Sequence, residues 1–138
     1  MENVQIKKFE LLDNYHQVVI NNFNEKIAEN LENCEYVIMS DKSLKVYIKD
    51  TGLIDKFKKY NTLISEKEVT GLSIYGIGIK SDPKALAAIS EYLFDKNYEL
   101  VDIFTGETKI VFFITKMNLK DDLLHLKDVL HREGFDVI

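Results

Sequence analysis

A glycine-punctuated apolar segment that runs into a proline-initiated helix constrains the fold of this chain most. Residues 71–83 read Gly-Leu-Ser-Ile-Tyr-Gly-Ile-Gly-Ile-Lys-Ser-Asp-Pro, and Leu72 to Ile79 alternates as a buried strand does. Ser81 and Asp82 offer a polar N-cap, with Pro83 at the first helical position. A strand that bends directly into a helix brings backbone N–H groups and the positive helix end together, which suits an anion such as a carboxylate.

The elements after this helix predict a known arrangement. The helix that begins at Pro83 is expected to end at Asn97. A tight turn is expected at Gly106-Glu107 and a helix C-cap at Gly134. The predicted elements are the strands Glu99–Thr105 and Lys109–Thr115, the amphipathic helix Leu119–Arg132 and the strand 135–138. The order strand, helix, strand, strand, helix, strand predicts a ferredoxin-like unit, an antiparallel sheet with two helices on one face.

The first half of the chain repeats this order in a shorter form. Its predicted elements are a leading strand Val4–Leu11, the strand His16–Asn22, the helix Glu25–Leu31, the strands Glu35–Met39 and Leu44–Lys49, the helix Leu53–Tyr60 and a short strand Thr62–Ile64. We therefore predict an α+β fold of two ferredoxin-like βαββαβ units, at residues 1–68 and 69–138. Whether the strand 135–138 pairs within the second unit or with the first is left open.

Composition excludes several classes of protein. The formal net charge of −5 argues against a nucleic-acid binder, and no apolar run approaches the ~20 residues that span a membrane. The N-terminal segment is polar and does not resemble a signal peptide. Cys34 is the only cysteine, which favours a reducing cytoplasm. With His16, His125 and His131 it forms no metal-ligand spacing, so neither a metal nor a cofactor is expected.

Three segments of the second half resemble the second ACT domain of aspartate kinases. Leu72–Pro83 is similar to the family's strand and glycine-rich loop, Ile103–Ile110 lies where the family carries a Ser/Thr-Ser-Glu-x-Lys segment, and Leu123–Phe135 matches its closing helix. The resemblance implies a tandem ACT-domain regulatory region, with a degenerate unit at 1–68 and an ACT domain at 69–138. The kinase's Lys-Phe-Gly-Gly-Thr signature is absent from the sequence, so no catalysis is expected, and a kinase name would rest on homology to the regulatory region.

The resemblance also implies a ligand site, because ACT domains bind amino acids at an interface between two units. The ligand's α-carboxylate would meet the backbone of the loop before Pro83, and its ammonium group would pair with a carboxylate. The implied ligand-binding residues are Gly78, Lys80, Ser81, Asp82 and Asp102 in the second unit and Asn22 and Asn24 in the first. The alternative is that Ser81 and Asp82 only cap a helix and that the asparagines only form a turn.

The function that the resemblance implies is allosteric regulation of an amino-acid biosynthesis enzyme by a bound amino acid, lysine or threonine. The expected partners are that ligand, a second copy of the chain paired through ACT sheet edges, and a separate catalytic chain, but neither nucleic acid nor membrane. An alternative is an ACT-like dimerisation or interaction module that has lost its ligand. Lys84, where the family usually has glycine, and the short first helix favour this alternative.

Overall fold

The computed structural model describes residues 5–21, 24–39, 43–59, 63–79, 82–115 and 120–137. In chain order the elements are β1 (Gln5–Ile20), α1 (Glu25–Leu31), β2 (Tyr36–Met39), β3 (Leu44–Ile48), α2 (Thr51–Lys59), β4 (Leu63–Ile77), α3 (Pro83–Asp95), β5 (Leu100–Thr105), β6 (Lys109–Thr115), α4 (Leu123–Arg132) and β7 (Asp136–Val137). No helix in the described part of the chain is long and apolar enough to cross a membrane.

The chain divides into two compact units. The central unit is residues 13–69, and the composite unit joins residues 1–12 to residues 70–138. β1 and β4 contribute to both units because their ranges cross these bounds. In this division the segment up to Leu12 groups with the second half of the chain, whereas the sequence-based division at residue 68 placed it with the first half.

In the composite unit, β6 lies between β4 and β5, and β1 lies beside β4. β5 and β6 are antiparallel, with Ile103 opposite Phe112. The short β7 pairs in parallel with the start of β1, where Gln5 lies opposite Asp136. The last strand predicted from the sequence therefore pairs with the leading strand.

The helices α3 and α4 cover one face of this sheet. Alternate residues of β4 and β6 point to that face, as the two-residue period of a strand requires, and meet the apolar faces of the two helices. The buried side chains of this core are Ile6, Leu72, Ile74, Ile79, Ala85, Ala88, Ile89, Tyr92, Leu93, Tyr98, Ile110, Phe112, Ile114, Leu126 and Leu130.

The central unit has its own core. β3 pairs in antiparallel fashion with the second half of β1, where His16 lies opposite Ile48, and also with β2. Phe57 of α2 and Ile27 of α1 are fully buried against this sheet. The buried side chains are Val18, Ile20, Ile27, Leu44, Val46, Ile48, Leu53, Ile54 and Phe57. Together the two units confirm the predicted α+β class, with antiparallel pairing and ferredoxin-like repeats of the elements.

Two predictions about strand breaks were wrong. β1 is one strand from Gln5 to Ile20, although the sequence analysis predicted two strands, Val4–Leu11 and His16–Asn22. Asn14 has a φ of 61°, a left-handed conformation that asparagine tolerates, so the strand continues through a local irregularity. β4 is likewise one strand, because the exposed polar residues 65–68 remain extended between its two apolar ends.

The start of the last helix was also predicted too early. α4 begins at Leu123, with Asp122 at the N-cap position, and not at Leu119. A polar residue just before an apolar periodic run is a common N-terminal signal, and the pair at residues 121 and 122 carries it.

Candidate functional site

The loop that the sequence singles out joins β4 to α3. Gly78 follows the strand with a φ of 71°, in the left-handed region that glycine adopts without strain, and an added Cβ would meet nothing within 4 Å. Ile79 then buries its side chain completely in the core of the composite unit. The predicted ligand residues Lys80 and Ser81 lie outside the described residues.

Asp82 is the N-cap of α3. Its Oδ1 atom accepts a hydrogen bond of 2.8 Å from the backbone N–H of Lys84, and Pro83 occupies the first turn as expected. Proline has no N–H, and that of Lys84 is already bonded to Asp82. Two of the first helical positions therefore offer no free backbone donor to an anion in this arrangement.

Asp102 lies in β5, away from that loop. Its Oδ1 atom accepts a hydrogen bond of 3.1 Å from the backbone N–H of Ile103. Asp102 pairs with Phe113, whereas Ile103 and Phe112 belong to the helix-covered face, so Asp102 points to the opposite face of the sheet. Because β6 separates β5 from β4, the lateral distance between those two strands is about 10 Å. Asp82 and Asp102 are therefore placed to act separately and not as a pair on one ammonium group.

Asn24 caps a helix of the central unit. Its Oδ1 atom accepts a hydrogen bond of 3.0 Å from the backbone N–H of Ile27, and its backbone carbonyl accepts one from Ala28. Asparagine commonly caps helices in this way, and the helix that it caps here, α1, is seven residues long. The neighbouring candidate, Asn22, lies outside the described residues.

The sequence analysis missed a pair of cavities that described residues line in the helix layer of the composite unit. The first, about 310 Å³, is lined by Ser90, Glu91, Phe94, Tyr98 and Leu100. The second, about 250 Å³, is lined by Ala88, Glu91, Tyr92, Asp95, Lys96, His125, Val129 and Glu133. The available signal was Phe94, an aromatic residue next to the apolar stripe of α3 but outside its spacing.

A polar cluster lies beside the second cavity. The Tyr92 hydroxyl donates to the backbone carbonyl of Asp122 at 3.0 Å and lies 3.1 Å from Nδ1 of His125. The Tyr98 hydroxyl donates to Oδ2 of Asp122 at 2.5 Å. Burial, followed by the negative charge of Asp122, raises the pKa of Tyr92. These tyrosines are therefore neutral hydrogen-bond donors that join α3 to α4, and they do not act as bases.

Cys34, the one thiol, is not an activated nucleophile. Burial raises its pKa to about 11, and its Sγ atom donates a weak hydrogen bond to the carbonyl of Asn30 at 3.6 Å. Among the described residues, no group of three or more His, Cys, Asp and Glu side chains is arranged to hold a metal ion.

Comparison with known proteins gives a result at the level of structure alone. No family model matches the sequence, and no curated protein matches it. The regulatory subunit of aspartate kinase from Thermus flavus is similar with a TM-score of 0.67 at 13% identity, over 93% of this chain and 97% of that one.

Complete kinases are similar over a part of their length. The Clostridium acetobutylicum aspartate kinase has a TM-score of 0.68 at 15% identity, over 96% of this chain and 35% of the kinase. E. coli aspartokinase III, in complex with lysine and aspartate, has a TM-score of 0.62 at 10% identity, over 96% of this chain and 34% of that one. The chain thus has the fold of aspartate kinase regulatory regions and spans about a third of these two kinases.

Proposed function

We propose that this chain is a non-catalytic ACT-type regulatory module that binds a small amino acid and acts allosterically on an enzyme of amino-acid biosynthesis. The observation that supports the proposal is the match of this fold to an aspartate kinase regulatory subunit, over 93% of this chain and 97% of the subunit. The mechanism is a population shift. The ligand binds one arrangement of paired units more tightly and so raises its share of the population.

Lysine is the first ligand to test, and threonine is the second. The similar E. coli aspartokinase III is in complex with lysine and aspartate, which supports lysine as the first choice. The proposed site is the loop from Gly78 to Asp82, with Lys80 and Ser81 between them. Asp102 is the second candidate carboxylate. In the central unit, Asn22 and Asn24 are the corresponding candidates.

The alternative function is an ACT-like dimerisation or interaction module that binds no amino acid. The N-terminus of α3 favours it, because Pro83 has no N–H and the N–H of Lys84 is bonded to Asp82. A lysine side chain at this position also fills space that glycine would leave open to a ligand. The two functions make opposite predictions for ligand-induced stabilisation.

The proposed partners follow from the same reasoning. A second copy would pair through a sheet edge, and we assign this role to β2 of the central unit, which stands at one end of the strand order and carries the exposed Met39. A separate catalytic chain would receive the allosteric signal. We place the protein in a reducing cytoplasm, where Cys34 would remain a free thiol.

Thermal unfolding in the presence of each amino acid at millimolar concentration tests the proposal. A ligand at ~100 times its dissociation constant stabilises a protein by roughly 2.7 kcal/mol, which raises the melting temperature measurably. We expect lysine or threonine to raise it and the other amino acids not to do so. If no amino acid raises it, the dimerisation module is the better description.

The variant Asp82→Asn separates ligand binding from capping. Asparagine caps a helix about as well as aspartate, so the melting temperature without ligand should stay close to that of the wild type. If the carboxylate pairs with the ligand's ammonium group, the variant loses most of the ligand-induced rise. If the rise is unchanged, Asp82 only caps the helix, and Asp102→Asn is the next variant to test.

A further inference from the structure

A histidine lies on the core-facing side of the sheet in the central unit. His16 belongs to β1, on the face that also carries Val18 and Ile20, and it lies opposite Ile48 of β3. Its side chain is 18% exposed, and its Nδ1 atom is buried without a hydrogen-bond partner among the described residues. Buried polar atoms are nearly always paired in native structures, so this nitrogen is an exception.

The carboxylate of Glu66 lies next to that nitrogen. Nδ1 of His16 is 3.5 Å from Oε1 of Glu66, which belongs to the polar run 65–68 of β4. The distance allows an electrostatic interaction but exceeds the ordinary N–H···O length of about 2.7–3.2 Å. A protonated imidazole carries an N–H on both nitrogens. It can therefore move toward the carboxylate and form a charge-assisted hydrogen bond of about 2.7–2.9 Å.

The same carboxylate already has a cationic partner. Nζ of Lys58, in the last turn of α2, lies 3.1 Å from Oε2 of Glu66 and so ties the end of this helix to β4. The Lys58 side chain is 52% exposed, so the tie is weak and can be exchanged for water. The apolar side of α2 is held separately, by the buried Leu53, Ile54 and Phe57. Loss of the ion pair would therefore loosen the end of the helix and not detach the whole of it.

The charges on the surrounding elements oppose one another. β3 places the apolar Ile48 opposite the imidazole, and β4 carries Glu68 on the same face as Glu66. The last turn of α2 carries two further lysines, Lys56 and Lys59. Histidine is the side chain whose charge ordinarily changes between about pH 5 and pH 8, whereas glutamate and lysine largely keep theirs. The imidazole is therefore the group that alters the charge of this cluster in that range.

We propose that His16 is a proton-operated switch that sets how firmly the end of α2 is held to β4. Near pH 8 the imidazole is neutral, and Glu66 pairs with Lys58. On acidification the imidazole takes a proton from solvent, and the imidazolium draws Glu66 toward itself. Lys58 then exchanges its carboxylate partner for water, which its exposure allows. The last turn of α2 is held less firmly as a result.

The switch adds a second input to the proposed regulatory function. β1, which carries His16, runs toward Asn22 and Asn24, the candidate ligand residues of the central unit. Proton binding would thus act on the unit that contains these candidates. This regulatory role rests on the proposed function, whereas the exchange of Glu66 between two partners does not.

Two measurements on the whole chain, without added amino acid, test the switch. The ring nitrogen shifts of His16 in an isotope-labelled sample should show the imidazole gaining a proton between about pH 8 and pH 5. Amide hydrogen exchange, expressed as protection factors, should show the protection of residues 56–59 falling about two- to fivefold over the same range, as expected for the loss of an exposed ion pair. Because no amino acid is present, this result and the result of the ligand test are separate.

Four variants assign the effect to its residues. His16→Gln and Glu66→Gln should each make the protection of residues 56–59 independent of pH, because one lacks the titrating ring and the other the carboxylate. Lys58→Met should show near pH 8 the low protection that the wild type reaches near pH 5, with no further fall. His131→Gln is the control, because this histidine is exposed on α4, and it should behave as the wild type does.

Several results would overturn the proposal. One is an imidazole of His16 that stays uncharged down to pH 5, and another is a wild-type protein in which the protection of residues 56–59 does not fall. A fall of the same size in His16→Gln or in Lys58→Met would show that another group or another contact is responsible. A fall that His131→Gln abolishes would assign the effect to α4.

Discussion

The hydroxyl of Tyr98 donates a 2.5 Å hydrogen bond to the Oδ2 atom of Asp122, and this bond ties the segment after α3 to the start of α4. Asp122 occupies the N-cap position of α4 but makes no side-chain capping bond, because its carboxylate points to the tyrosine instead. Its backbone carbonyl accepts a second tyrosine hydroxyl, that of Tyr92. The two helices that cover the composite unit are thus held together by polar contacts as well as by their apolar faces.

The first prediction concerns stability at alkaline pH. Burial, followed by the hydrogen bond to Asp122 and its negative charge, raises the pKa of Tyr98 above its ordinary value of 10.0. Above that pH the unfolded chain loses the tyrosine proton while the folded chain keeps it, so stability falls as the pH rises toward the folded pKa. The stabilisation that the Tyr98 hydroxyl contributes is fully present below pH 10. Between pH 10 and the folded pKa it falls by about 1.4 kcal/mol per pH unit.

Tyr98→Phe removes this dependence. At pH 8 the variant should be less stable by about 1.5–3 kcal/mol, because a hydrogen bond to a charged group is lost. Between pH 10 and about 11.5 its stability should fall less steeply than that of the wild type. Urea unfolding at several pH values measures both effects, and parallel curves for the two proteins would contradict the raised pKa.

The second prediction concerns the close approach of β1 and β4. A Cβ built at Gly76 would lie 2.4 Å from the backbone carbonyl oxygen of Gln5, so Gly76→Ala requires one strand to move. Overpacking of this kind typically costs 1–3 kcal/mol or more. Gly78→Ala is the matched control, because its added Cβ meets nothing and its cost is the left-handed φ of 71°, roughly 1–2 kcal/mol.

Denaturant unfolding of both variants should rank Gly76→Ala as the less stable protein. The reverse order would mean that the strands accommodate the added Cβ at a lower cost than the left-handed φ imposes at Gly78, contrary to the close backbone contact.

The fold could be predicted from the sequence largely because local signals agreed with it. The alternation of Leu72 to Ile79 and the proline at the start of α3 both point to the observed elements, and Gly134 has the positive φ expected after α4. The two continuous strands could not be predicted in this way. Asn14 and the polar residues 65–68 are typical turn or loop residues, and long-range pairing overrides that local preference.

The candidate site was harder to predict for a physical reason. Sequence spacing shows that Asp82 precedes a helix, but the side chain can cap that helix or bind a ligand, and the same residue type suits both roles. The 310 Å³ cavity was missed because Leu100 and Phe94 belong to different elements, and their proximity depends on how β5 packs beside α3.

The third prediction concerns the reactivity of Cys34. Burial raises its pKa from 9.0 to about 11, so the thiolate fraction at pH 8 is lower by roughly a factor of one hundred. Alkylation by iodoacetamide at pH 8 should therefore be about a hundredfold slower in the native protein than in urea. Mass spectrometry of samples quenched at intervals gives both rates, and equal rates would show that the thiol is neither buried nor perturbed.

The last prediction concerns the N-cap of α3. Asp82→Ala removes the acceptor for the backbone N–H of Lys84, and loss of such a cap typically costs about 0.5–2 kcal/mol. The effect should spread to the core, because Ile89 and Leu93 of the same helix are fully buried. Asp82→Asn is the matched control, since its side-chain oxygen can accept the same bond. Chemical unfolding should place Asp82→Asn near the wild type and Asp82→Ala below both. Equal losses for the two variants would mean that the charge of Asp82 stabilises the fold, most simply by its interaction with the positive end of the helix dipole.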